Sequence, residues 1–216
     1  MTWTKEFFAD KKQLLNGIPE RNRGDGFEVI FTELEKKSLV LPAWYLIVET
    51  GSMRPGGTLE GDGQSTLLFD SFVNYYKGRV ISVDVDKTAF KHSSENTSSA
   101  TSNILSDSIK FLWKDLPNAI GSDKVDLFYL DSFDVDFDNP VNSNLHHIKE
   151  LTAISQFLTK GTLVAVDDCR FLDGDKRIPQ NVKAKDVGKG NFVESFMKDI
   201  EAKLLFDGYQ KVWEIQ

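Results

Sequence analysis

Apolar residues recur at helical spacing twice near the start of the chain, first at Trp3, Phe7, Leu14 and Ile18, then at Phe27, Ile30, Phe31 and Leu34. The spacing predicts two amphipathic helices that cover whatever core follows. Asp25, with Glu28 three residues later, reads as a capping pair for the second helix. From Ala43 onward short apolar runs alternate with helical stretches. Trp44 to Val48, Arg79 to Val83, Val125 to Leu130 and Thr162 to Val166 are near-continuous apolar runs, as expected of parallel strands buried on both faces. Asn103 to Leu105 reads as a further short strand.

Helices are predicted over Ser65 to Tyr76, weakly over Thr88 to His92, and from Asp107 through Ile109, Leu112 and Trp113. Another runs over Asn144 to Thr159, with Leu145, Ile148, Leu151, Ile154 and Leu158 on one face, and the last over Asn191 to Glu201. Ser93 to Ser102 reads as loop, and Phe171 to Gly190 as a polar, mobile insertion. Lys203 to Ile215 reads as two strands joined at Asp207-Gly208, a hairpin signal. Together the elements predict an α/β fold with a doubly wound, mostly parallel seven-stranded sheet, closed by an antiparallel hairpin strand. One domain is expected over residues 1–216, with a helical cover over 1–40, a core over 43–216 and a lid over 171–190.

Composition narrows the partners. The 216 residues carry a formal net charge of -7, which repels phosphate backbones and argues against nucleic acid. The one basic stretch, Lys176 to Lys189, is diluted by Asp173, Asp175 and Asp186. A single cysteine, Cys169, excludes a disulfide framework and a cysteine zinc site. No apolar run reaches the roughly 18 residues of a membrane span, and no apolar signal core opens the chain, so a cytoplasmic protein without membrane partners is expected.

The chemistry lies at the ends of the strands, where ligands of such sheets bind. The first strand ends in Glu49-Thr50-Gly51, the second in Asp84 and Asp86, the fourth in Asp131 and the fifth in Asp167-Asp168. Clustered carboxylates repel one another unless something positive sits among them, so a cationic ligand, a metal, or both are implied. Asp84 is placed to accept hydrogen bonds from ribose hydroxyls. No Gly-x-Gly-x-x-Gly opens the first helix, and Gln64 stands before Ser65 where a phosphate-binding loop needs lysine. A nucleoside without a pyrophosphate is therefore favoured.

Val48-Glu49-Thr50-Gly51, completed after an inserted stretch by Gly63-Gln64-Ser65-Thr66, resembles the first motif of class I S-adenosylmethionine methyltransferases. The resemblance runs from about Ala43 to the C-terminus. It implies that Glu49, Gly51, Gly63, Ser65 and Asp84 bind S-adenosylmethionine, with Asp107 and Ser108 at the adenine and Asp131 alongside the donor. Asp126 to Asp131 and Leu163 to Asp168 are similar to the metal-dependent small-molecule O-methyltransferases of the catechol, caffeoyl-CoA and macrocin type. By position, that likeness implies one Mg²⁺ held by Asp131, Asp167 and Asp168, ligands of the hard-oxygen kind that Mg²⁺ prefers. Where catechol-type enzymes carry a lysine after the strand-four acid, this chain has Asp134. Asp134, His146 and His147 are the candidates for proton transfer.

The expected reaction is methyl transfer to a hydroxyl of a small molecule, with the N-terminal helices available for a homodimer. Two rivals stay open. Asp84-Val85-Asp86 and Asp134-Val135-Asp136 each spell an acid-x-acid triplet that could hold a metal-bound nucleotide sugar in a glycosyltransferase. A non-catalytic nucleoside-binding protein on the same fold is the other.

Overall fold

The computed structural model describes residues 2–17, 22–38 and 44–216. Helices α1 (Trp3–Asn16) and α2 (Arg23–Ser38) precede the first strand, β1 (Tyr45–Thr50). The chain then alternates through α3 (Ser65–Tyr76), β2 (Gly78–Asp84), α4 (Lys87–Asn96), β3 (Thr101–Leu105), α5 (Ser108–Lys114), α6 (Leu116–Ile120) and β4 (Leu127–Leu130). It ends through α7 (Pro140–Ile154), β5 (Leu163–Val166), α8 (Asn191–Asp199) and the hairpin β6 (Lys203–Asp207) and β7 (Lys211–Glu214).

The seven strands lie in the order β3-β2-β1-β4-β5-β7-β6. β3 to β5 are mutually parallel, and β7 pairs antiparallel with both β5 and β6. The first three strands wind outward in one direction and β4 and β5 in the other, so the order reverses between β1 and β4. A crevice opens at such a reversal, beyond the carboxyl ends of the two strands.

Side chains alternate across each strand, which splits the core into two layers. Leu46, Val48, Phe128 and Leu130 pack with residues of α5, α6, α7 and α8. Tyr45, Ile47, Leu127 and Tyr129 pack on the other face against α1, α2 and α3. That second layer is aromatic: Trp3 lies 4.7 Å from Phe31 and 5.4 Å from Phe72, and Phe27 stacks on Tyr129 at 5.6 Å, centroid to centroid. Rings of this size bury much apolar area on few side-chain torsions, which suits a cover layer.

Several sequence expectations need correction. Leu14 is exposed and Leu15 takes its place in the core, while Ile18 and Ala43 lie outside the described residues. Asp25 does not cap α2, which begins two residues earlier; Asp25 and Glu28 instead grip Lys12 of α1, at 2.8 and 2.6 Å. Ser93 to Asn96 belongs to α4, extended by the buried Ser93 and its bond to Asn103, and β3 begins at Thr101 rather than 103. α7 begins at Pro140, where the fixed proline φ suits a first turn, and leaves Leu145 exposed.

Asp107 does cap its helix, accepting from the Lys110 amide at 2.8 Å. Asp107→Ala should lower stability by about 1 kcal/mol, read as a reduced urea midpoint at unchanged slope. No helix among the described residues is long and apolar enough to cross a membrane.

Candidate functional site

Two clefts lie beyond the carboxyl ends of the parallel strands. One, of about 280 Å³, is lined by Asp84, Asp107, Ser108, Ser132, Phe133 and His146. The other, of about 310 Å³, is lined by residues that include Gly51, Ser52, Ser65, Asp131, Asp134 and Asp168, with Phe137, Phe171 and Tyr209 at its aromatic side.

Gly51 shapes the crossing. Its φ of +83° is left-handed, and a Cβ there would stand 2.6 Å from the Asp131 carbonyl oxygen. Only glycine lets β1 turn so close to the end of β4. Asp84 accepts from the Ser52 amide at 2.8 Å and from the Asp86 amide at 2.7 Å, one bond per carboxylate oxygen. Each oxygen keeps a free lone pair, so the carboxylate is fixed in place and still able to accept from a diol.

Glu49 is different. It is fully buried, lines neither cleft, and accepts from the hydroxyls of Ser65, Thr66 (2.8 Å) and Ser82 (2.7 Å). Burial pushes its carboxyl up to about 7 against the pull of those three donors. Glu49 therefore ties β1 to β2 and α3. Gly63 also lines neither cleft; its φ of +77° lets Arg23 and Phe27 pass close by.

His146 and His147 separate. His147 is fully buried, with Nδ1 2.8 Å from the Ser143 carbonyl oxygen and Nε2 4.0 Å from Glu150 but without a hydrogen-bond partner among the described residues, and burial lowers its pKa to about 4. It does not reach either cleft. His146 lines the smaller cleft, stacks on Phe133 at 5.1 Å, and has Nε2 2.8 Å from Ser132 Oγ. Ser132 donates its one hydroxyl proton to Glu150 at 2.7 Å. His146 Nε2 must then be the donor to Ser132, a tautomer assigned from the bonding, and that nitrogen offers no lone pair to a substrate. Asp134 does line the larger cleft, where Arg54 binds it at 2.9 and 3.4 Å.

The acids of β4 and β5 carry the main surprise. Asp167 is buried, accepts from Tyr129 at 2.9 Å, and lies 3.2 Å from Arg23 Nε. Asp168 lies 3.0 Å from Lys189 Nζ and 3.6 Å from Arg23. Lys189 Nζ also bonds Asp131 directly. Burial works against ionising Asp168, but Lys189 and Arg23 outweigh it and hold its carboxyl well below the usual range.

Neither cation was anticipated. Phe171 to Gly190 was expected to be polar and mobile, yet Phe171 and Val187 are buried against Tyr209, and Lys189 is 1% exposed. Among the described residues no group of three His, Cys, Asp or Glu side chains converges as metal ligands. The Mg²⁺ expected at Asp131, Asp167 and Asp168 does not fit this arrangement, because their oxygens already face Lys189 and Arg23. Cys169 is buried, its thiol pushed up by burial and donating to Val166 O, as befits a bystander.

The second acid of each acid-x-acid triplet is used structurally. Asp86 caps α4 through the Thr88 and Ala89 amides, and Asp136 accepts from the Asn139 amide and the Asn142 side chain.

This sheet order, with its central crossing and antiparallel hairpin, defines a Rossmann-like methyltransferase fold. Solved structures agree. The MycE methyltransferase from the mycinamycin biosynthetic pathway, in complex with Mg, SAH and mycinamycin VI, superposes with a TM-score of 0.53 at 16% identity, over 79% of this chain and 44% of that one. The chain thus spans less than half of MycE. Apo CalS11, a TDP-rhamnose 3'-O-methyltransferase of calicheamicin biosynthesis, gives a TM-score of 0.51 at 14% identity, over 98% of this chain and 90% of that one. No family model and no curated protein matches the sequence.

Proposed function

We propose that this chain is an S-adenosylmethionine-dependent methyltransferase that acts on a hydroxyl of a small molecule. The observation that carries the proposal is the pair of clefts beyond the carboxyl ends of the parallel strands. One presents Asp84, Asp107 and Ser108 beside the Phe133 ring, a set suited to a ribose diol and a base. The other presents Ser52, Asp131, Asp134 and Asp168 beyond Gly51, with Arg177 over the Phe137 and Phe171 rings and Arg23 over that of Tyr209, a polar set suited to a compact hydroxylated acceptor. When bound, the donor supplies an electrophilic methyl group.

The chain's own contribution is placement. Asp84 fixes the nucleoside, Gly51 permits close approach of the backbone, and Asp131 and Asp134 face the acceptor side. In-line geometry held in this way lowers the barrier without any covalent step on the protein. Asp134 is the carboxylate available to take the acceptor proton, with Arg54 setting its orientation.

Calorimetric titration with S-adenosylhomocysteine, a nucleotide sugar and NAD tests the reading. Binding of S-adenosylhomocysteine alone is expected, and binding of the nucleotide sugar alone would sink the methyltransferase reading. Asp84→Ala should weaken S-adenosylhomocysteine binding at least about tenfold, the worth of a charge-assisted bond to a hydroxyl.

A further inference from the structure

Lys189 stands at the centre of the acidic cluster, and the local structure is built to deliver it there. Gly188 has φ +119°, and a Cβ on it would stand 2.6 Å from the Cys169 carbonyl oxygen; one on Gly190 would stand 2.5 Å from Cys169 Sγ. The Gly188-Lys189-Gly190 segment is therefore pressed against the turn after β5 in a way other residues would block. Asn144 of α7 clamps both sides of it, donating to Gly188 O at 2.9 Å and accepting from the Asn191 amide at 2.8 Å. The Lys189 amide donates to Asp168 O at 3.1 Å, and its ammonium reaches Asp131 and Asp168. A lysine only 1% exposed is costly to desolvate, and ion pairs of this kind are what offset that cost.

We infer that Lys189 is the built-in counter-ion of this carboxylate cluster and takes the place of a divalent cation, so that the site is complete without metal. A Mg²⁺ bridging Asp131 and Asp168 would need oxygens about 2.0–2.1 Å away, in the volume that Nζ fills. Asp131, Asp167 and Asp168 thus face two cations, Lys189 and Arg23. On the methyltransferase reading, on which this functional consequence rests, the cation-filled cluster borders the acceptor cleft through Asp131 and Asp168. Lys189 acts through Asp131 and Asp168 and is a positioning residue.

The test is Mn²⁺ binding, followed by electron paramagnetic resonance on the full chain. Wild type is expected to show no saturable Mn²⁺ site dependent on Asp168. Lys189→Ala, with the cation removed and the acids kept, is expected to bind Mn²⁺ at least about tenfold tighter than wild type and to regain thermal stability when Mg²⁺ is added. Lys189→Arg, which keeps the charge, should gain neither. A merely structural lysine would produce no such gain in metal affinity.

Saturable Mn²⁺ binding by wild type that Asp168→Asn abolishes would overturn the inference, as would a folded Lys189→Ala with no gain. Should Lys189→Ala fail to fold, the wild-type and Asp168→Asn arm decides alone. S-adenosylhomocysteine titrated in the presence of EDTA separates the two readings. Its failure to bind counts against the methyltransferase, while the Mn²⁺ arms stay readable.

Discussion

Arg23→Met should cost the folded state about 3–5 kcal/mol, the effect of leaving a buried charge without its partner. Arg23 is 4% exposed and reaches Asp167, itself 1% exposed, while its second amino group bonds Gly61 O at 2.9 Å. Its guanidinium also lies 4.8 Å from the centre of the Tyr209 ring. Methionine retains most of the apolar stem, so the loss measures charge rather than volume. The combination Arg23→Met with Asp167→Asn should recover a large part of it, since neither group is then charged. Urea unfolding of the two variants decides: a single-variant loss below about 1 kcal/mol would show that Asp167 does not depend on Arg23.

Arg23 and Lys189 also mark where the sequence stops being legible. The strands could be read because burial on both faces leaves continuous apolar runs, and the strand-end acids followed from where those runs stop. Gly51 and Asp84 were legible for that reason, and both line the clefts. The cations answering those acids come from far away in the chain: Arg23 lies 144 positions from Asp167, and Lys189 lies 58 from Asp131. Neither sits in an apolar pattern, and ion pairing leaves no periodicity. One signal was available for Lys189, a lysine flanked by two glycines in an otherwise polar insertion, since glycines at both sides imply close backbone approach. The surroundings of Glu49 were not legible either. Three hydroxyls from α3 and β2 converge on it, and only the tertiary structure assembles them.

Glu49 and His147 should make stability depend on pH in opposite directions, and removing either should expose the other. Burial lowers His147 from its usual 6.5 to about 4. As pH falls from 6.5 toward 4, the unfolded chain takes up this proton and the folded chain does not, so acid favours unfolding. Burial raises Glu49 from its usual 4.5 to about 7. As pH falls from 7 toward 4.5, the folded chain takes up this proton first, so acid favours folding. Each gap corresponds to at most about 3 kcal/mol, and between the two groups the wild-type effect largely cancels.

Glu49→Gln should therefore lose stability as pH drops from 6.5 to 4.5, whereas His147→Gln should gain it over the same interval. Comparing the two variants removes the contribution of every other titrating group, because both carry the same background. The absolute stability of Glu49→Gln also falls, since an amide cannot accept from three hydroxyls as a carboxylate does. The slope is thus the quantity to read. Parallel slopes for the two variants in a urea series across that range would mean that at least one of these groups is not buried as described.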